Sequence, residues 1–173
     1  TGDWKLDDQP VLGPAVNPED IKAIGKEGVF ALVCDSTNAF NAGASGTEGS
    51  VRDGLMASVK AAKGRVLVTS FASNAARLET LRQVARETGR QLCIAGRSLD
   101  RIIRASQSTG MLKDFPGPMD FDAAMRLAPR ELMIVATGGQ GEARAALARI
   151  ATDNHPLKLD AGDTVIFSSK QIP

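Results

Sequence analysis

The sequence predicts an α/β fold, an open parallel sheet with helices on both faces, and three observations carry that prediction. Short apolar runs such as Val66-Leu67-Val68 and Leu132-Met133-Ile134-Val135-Ala136 lack the in-and-out alternation of a half-solvated strand, as strands buried on both faces do. Between them apolar residues recur at helical spacing. The two patterns alternate along the chain, the order that lays helices over a parallel sheet. With 173 residues, 43% of them hydrophobic, the chain has the material for one packed domain.

In order, residues 7–18 contain Pro10, Gly13, Pro14 and Pro18 and form a loop. Asn17 is placed to cap a helix from Pro18 to about Lys26, with proline at its first position and Gly28 after it. A strand is expected over 29–34 (Val-Phe-Ala-Leu-Val-Cys), and residues 38–46 are a small-residue linker. Val51, Leu55, Val59 and Ala62 mark a helix before the strand 66–68, and Ala75, Leu78, Leu81 and Ala85 mark one running to Gly89. Strand 92–95 precedes a helix carrying Leu99, Ile102, Ile103 and Ala105. After a Pro-containing loop at 110–119, Asp120 can cap a short helix to Leu127. Strand 132–136, a helix over 141–151 and strand 164–167 complete the chain. Crossovers between the parallel strands are expected to be right-handed.

Composition narrows the function classes. No apolar run approaches the roughly 20 residues that span a bilayer, and there is no leader-like segment, so a cytoplasmic protein is expected. Cys34 and Cys93 lie inside apolar runs and are expected to be reduced core thiols. The only histidine, His155, stands in Asp-Asn-His-Pro, expected as a surface turn. Net charge is +1, yet residues 1–55 carry 4 basic and 9 acidic side chains while residues 56–104 carry 10 basic and 3 acidic. A basic middle beside an acidic front suits a polyanion-binding face next to carboxylates. Arg82, Arg86 and Arg90 are spaced to line one helix face, with Arg101 and Arg104 on the next helix.

In an open parallel sheet ligands bind beyond the carboxyl ends of the strands. Strand 66–68 leads into Thr69-Ser70-Phe71-Ala72-Ser73-Asn74, which gathers hydroxyls, an amide and free helix amides suited to a phosphate, Ser73 serving otherwise as a helix cap. Strand 92–95 leads into Gly96-Arg97-Ser98, where Ser98 is a possible cap and Arg97 a fork-shaped phosphate donor. Strand 132–136 leads into Thr137-Gly138-Gly139-Gln140-Gly141-Glu142, and strand 164–167 into Ser168-Ser169-Lys170. The glycines lack the spacing of a dinucleotide fingerprint, and no Lys-Ser/Thr follows as in a phosphate-cradling loop. Aromatic residues are 4%, with no Tyr, so Phe71 is the one evident platform for a base. Asp3 and Asp35, each followed by polar residues, are either metal-binding acids or strand-end caps. One histidine cannot by itself assemble a two-metal hydrolytic centre.

Taken in order, Thr1-Gly2-Asp3-Trp4-Lys5, Cys34-Asp35-Ser36-Thr37-Asn38, Ser70-Phe71-Ala72-Ser73-Asn74, Gly96-Arg97-Ser98, Thr137-Gly138-Gly139-Gln140-Gly141-Glu142 and Asp163-Thr164-Val165-Ile166 resemble the ribonuclease J family, in the β-CASP branch of the metallo-β-lactamase superfamily. The resemblance implies a Rossmann-like β-CASP domain with short metallo-β-lactamase flanks: platform edge at 1–40, β-CASP domain at 41–162, return strand at 163–173. It implies a cytoplasmic hydrolase of RNA phosphodiesters with two zinc ions. Such an enzyme joins endonuclease and 5′-to-3′ exonuclease action, prefers single-stranded RNA with a 5′-monophosphate end, and is a homo-oligomer at full length. By position Asp3 resembles the acid that bridges the zincs, and Asp35 the acid of the first β-CASP motif, which orients a zinc ligand or moves a proton. Ser70, Phe71 and Ser73 resemble part of the monophosphate pocket. The His-rich metal motif and the later His motifs of the family have no counterpart in the sequence, so the chain is expected to be an inactive piece that binds zinc weakly or not at all. Two other readings stay open: a stand-alone Rossmann-like module for a nucleotide or sugar phosphate, and a structural or oligomerisation domain.

Overall fold

The computed structural model describes residues 5–169. Four parallel strands form one sheet in the order β2-β3-β1-β4. They are β1 (Val66–Thr69), β2 (Gln91–Ala95), β3 (Leu132–Ala136) and β4 (Thr164–Phe167). β1 and β3 lie at the centre, paired Val66 with Met133 through Thr69 with Ala136. Among the described residues six α-helices accompany them: α1 (Pro18–Glu27), α2 (Glu48–Ala61), α3 (Ala75–Glu87), α4 (Arg97–Ser108), α5 (Phe121–Arg126) and α6 (Ala146–Ala151).

Because side chains alternate along a strand, each central strand feeds two cores. On one face Val66, Val68, Met133 and Val135 pack with Leu55 and Val59 of α2, Leu78 and Leu81 of α3, and Leu99 and Ile103 of α4. On the other, Leu67, Cys93, Ile134 and Ala136 pack with Ala124 of α5, Ala146 and Ile150 of α6, and Leu157. The α/β fold with helices on both faces is therefore as the sequence predicts. β1 connects to β2 past β3 through α3 on the first face. β3 connects to β4 past β1 through α6 on the second. Opposite directions on opposite faces give these two crossovers the same hand. They also make the seam between β1 and β3 a topological switch point, where the loops diverge and leave a crevice.

Four sequence expectations are corrected here. Residues 29–34 form no strand among the described residues, and Phe30, Leu32 and Val33 are exposed. A six-residue apolar run becomes a strand only where a neighbour takes up its backbone groups, and none of the four strands pairs with this one. Cys34 on that run is consequently half-buried, whereas Cys93 is in the core. The helix expected over 141–151 is confined to Ala146–Ala151, the glycine-rich stretch before it staying in turns. The stripe Arg82, Arg86, Arg90 is broken because α3 ends at Glu87. Arg90 is buried and donates to the carbonyls of Gly64, Ala62 and Leu132 at 2.9, 2.9 and 3.1 Å, tying strand starts together at the edge of the sheet away from the loops.

Candidate nucleic-acid interface

All four strands run the same way, so the segments after β1, β2, β3 and β4 share one rim. At the switch point the last β1 residue, Thr69, is fully buried, and its hydroxyl has no hydrogen-bond partner among the described residues. A Cβ on Gly139 would lie 2.6 Å from the Ser169 hydroxyl oxygen and 3.2 Å from that of Thr69. Glycine at 139 thus keeps open a small cradle of hydroxyls. The Ser169 hydroxyl donates to the Gly139 carbonyl at 3.2 Å, which joins the loops after β3 and β4.

The loop after β1 lines the same mouth. Ser70 is buried, its amide donating to the Ala136 carbonyl at 3.1 Å and its hydroxyl to the Phe71 carbonyl at 3.3 Å, so it builds the loop. Phe71 is 42% exposed, and Ser73 is exposed. The helix cap is Asn74, not Ser73: the Asn74 side-chain oxygen accepts from the Arg77 amide at 2.9 Å, which leaves the Ser73 hydroxyl for other partners. Phe71 and Asn74 share a groove with Arg77, Ser168 and Ser169. Gln140 is exposed, and its amide donates to a Glu142 carboxylate oxygen at 3.1 Å, a contact that folds the glycine-rich turn on itself.

Arg97 and Ser98 lie apart from this crevice, at the exposed start of α4 beyond β2. Ser98 is inside the helix and caps nothing; Gly96 holds the cap position with no side-chain hydrogen bond. They line a cavity with Arg101, Thr137, Arg144 and His155. His155 is the fifth correction, for it is 93% buried rather than on the surface. Its ring packs 4.9 Å from that of Phe121, and its Nδ1 accepts from the Leu157 amide at 3.1 Å. The apolar residues around the Asp-Asn-His-Pro turn, Ile150 and Leu157, belong to the second core and draw the ring inward.

Asp35 is held in a turn of its own. Hydrogen bonds from the Thr37 hydroxyl and then from the Thr37 amide, 3.0 Å away, keep its carboxyl below the usual carboxylate range. Asp3 lies outside the described residues. Among the described residues no group of three His, Cys, Asp or Glu side chains could hold a metal ion, so they do not by themselves fit a zinc site. No helix among them is long and apolar enough to cross a membrane.

The sequence assigns no role to Arg77, places His155 on the surface, and shows Thr69 only as one hydroxyl of the polar run after β1. Arg77 was legible only as one basic residue among many, and the orphaned Thr69 hydroxyl is visible only once β1 and β3 are paired.

A parallel α/β sheet with polar loops crowding the carboxyl ends of its strands defines a domain of the Rossmann-like class. The family model described as the ribonuclease J β-CASP domain matches residues 63–173, and the chain belongs to that family. Among its relatives are ribonuclease J of Sinorhizobium meliloti, 39% identical over all of this chain, and ribonuclease J of Corynebacterium glutamicum, 40% identical over all of it. Ribonuclease J2 of Bacillus subtilis is 33% identical, again over the whole chain. The chain spans 31%, 24% and 32% of the lengths of these relatives.

Proposed function

We propose that this chain is the RNA-holding β-CASP portion of a zinc-dependent ribonuclease with endonuclease and 5′-to-3′ exonuclease action in the cytoplasm. The relatives' name carries the RNA substrate. The observation that supports a binding role for this part is the cradle at the β1/β3 switch point, with an orphaned Thr69 hydroxyl, a glycine that leaves space and an exposed ring beside it. Phe71 stacks on a base, Ser73 and the free side-chain NH2 of Asn74 reach a terminal phosphate, and Gln140 offers an amide from the facing loop. Glu142 shapes that loop. Arg97 and Ser98 extend the anion-friendly rim along the sheet. Asp35, ionised and oriented by Thr37, is the acid that orients a metal ligand or moves a proton, and Asp3 is a zinc ligand. The platform edge covers 1–40, the β-CASP domain 41–162 and the return strand 163–173. The full-length enzyme is a homo-oligomer, and this portion alone is inactive.

The test is fluorescence anisotropy with single-stranded RNA bearing a 5′-monophosphate or a 5′-hydroxyl, across a salt series. Binding is expected to weaken steeply with salt. Phe71→Ala should lose on the order of 1–3 kcal/mol of binding, and Ser73→Ala should erode the preference for the monophosphate end. Salt-insensitive binding, or an unchanged end preference in Ser73→Ala, overturns the assignment. In the full-length enzyme Asp35→Asn should lower turnover far more than RNA affinity, and full turnover in that variant removes Asp35 from the chemistry.

A further inference from the structure

The cavity beyond β2 has a volume of about 580 Å³, within the range of small-molecule sites. Its charged lining is Arg97, Arg101, Arg144 and Arg149 against a single carboxylate, Asp100. Asp100 is already engaged by Arg104 at 3.6 Å. Arg97, Arg101 and Arg144 have no carboxylate partner among the described residues. Arg149 gives Nε and one Nη to the Asn154 carbonyl, at 3.2 and 3.0 Å, which leaves its other Nη for the cavity. The start of α4 opens into the same space with no side chain capping it. Four guanidinium forks on exposed residues around an uncapped helix start make an anion-attracting cleft.

His155 fixes what kind of donor stands among them. Because Nδ1 accepts the Leu157 amide, the proton of the neutral ring is on Nε2. That Nε2–H has no hydrogen-bond partner among the described residues, and since His155 is 93% buried yet this atom is not sealed in the core, the donor is presented to the cavity that the residue lines. A donor presented to such a space is met by water or by a ligand atom that accepts from it.

We propose that this cavity is a second anion site, distinct from the switch-point cradle, that takes a phosphate-bearing ligand of about mononucleotide size. The phosphate lies among Arg101, Arg144 and Arg149 at the head of α4 and accepts from His155 Nε2–H. The site does not depend on RNA being the ligand at the cradle. The same chemistry fits a free nucleoside monophosphate and an internal nucleotide of a strand.

Because His155 is the only histidine, its Nε2 resonance in a ¹⁵N correlation spectrum of the full chain is unambiguous. It is followed on titration with inorganic phosphate, with a nucleoside monophosphate and with single-stranded RNA carrying a 5′-hydroxyl, at constant ionic strength held with chloride. A saturable shift is expected with at least one of the two nucleotide ligands, and the responding ligand identifies the source. Arg101→Gln and Arg144→Gln, both at exposed positions, should together raise the dissociation constant at least tenfold. Phe71→Ala should leave the dissociation constant for the nucleoside monophosphate unchanged while weakening RNA at the cradle. A shift that follows ionic strength alone, or an affinity indifferent to the arginine variants, overturns the site and leaves the cradle reading untouched.

Discussion

Arg77 and Glu48 form a two-toothed ion pair, Nε to Oε1 and Nη2 to Oε2, that locks the first turns of α3 and α2 together. The remaining Nη of Arg77 reaches the Ser168 carbonyl at 2.9 Å and its hydroxyl at 2.5 Å. One guanidinium thereby binds two helices to the loop after β4, directly behind the rim. Both side chains are only 12% exposed, so removing one strands the other away from water.

Arg77→Ala should therefore destabilise the fold by on the order of 3 kcal/mol, the cost of leaving a largely buried charge unpaired. Arg77→Lys keeps the charge but cannot make the fork, and should recover only part of that loss. Urea unfolding of the three proteins measures both. Equal stability of wild type and Arg77→Ala would show that the node carries no load.

How much of this was legible in the sequence follows from what each feature needs. β1 and β3 announce themselves because a buried strand needs only a short apolar run, and Asn17 and Asp120 act as caps as their local sequence indicates. The segment 29–34 carries the same signal and forms no strand among the described residues, since pairing depends on neighbours that local sequence does not specify. That the polar loops share one rim was legible because a parallel sheet puts all its carboxyl ends on one side. The roles of single residues were not: Asn74 rather than Ser73 takes the cap, and His155 turns inward, because each choice is settled by three-dimensional competition for one donor or one space.

Gly138 and Gly139 separate stability from binding. Gly138 has φ of 120°, and a Cβ there would stand 2.8 Å from Leu147 Cβ. Gly138→Ala should cost about 1–3 kcal/mol from backbone strain, with the clash added. Gly139 has no such strained φ, and the nearest atom to an added Cβ is the movable Ser169 hydroxyl. Gly139→Ala should melt close to wild type yet bind RNA more weakly because the cradle is filled. Thermal melts paired with anisotropy distinguish the two, and a Gly139→Ala protein with intact binding would empty the cradle of its role.

The two thiols should differ sharply in reactivity. Cys93 is buried in the sheet, and that burial, with Asp120 nearby, pushes its pKa up to about 11. A thiol with so little thiolate is a poor nucleophile. Cys34 is half-buried on an exposed segment. Alkylation in native buffer at pH 8 should modify Cys34 and spare Cys93 until denaturant is added, which peptide mass spectrometry resolves. Modification of Cys93 at a comparable rate would contradict its placement.

Acidification should act on this fold in two separate steps. Burial first, then the positive charges of Arg149 and Lys158, push His155 below its ordinary value of 6.5. The unfolded chain, where the ring keeps that ordinary value, then binds the proton more readily than the native state. Stability contributed by the neutral ring is full above about pH 6.5 and falls as pH drops from there toward the lowered native value. Asp7 and Glu79 are also held below their ordinary values, but those values lie lower on the pH scale and the native form favoured is the charged one. Asp7 accepts from the Glu48 amide at 2.8 Å and the Gln9 amide at 2.9 Å, and Glu79 accepts from Arg82 at 2.6 and 2.8 Å. Their contribution is full above their ordinary values of 3.8 and 4.5 and is lost only below them. Urea midpoints measured from pH 8 to pH 3 should thus decline first as pH drops below about 6.5 and again below about pH 4.5. His155→Gln should abolish the first decline and keep the second. Were the first decline to persist in that variant, the histidine would not be the group being protonated. Phosphate added at pH 6 should also shallow the first decline in wild type, since an anion beside the ring offsets the cations that depress it.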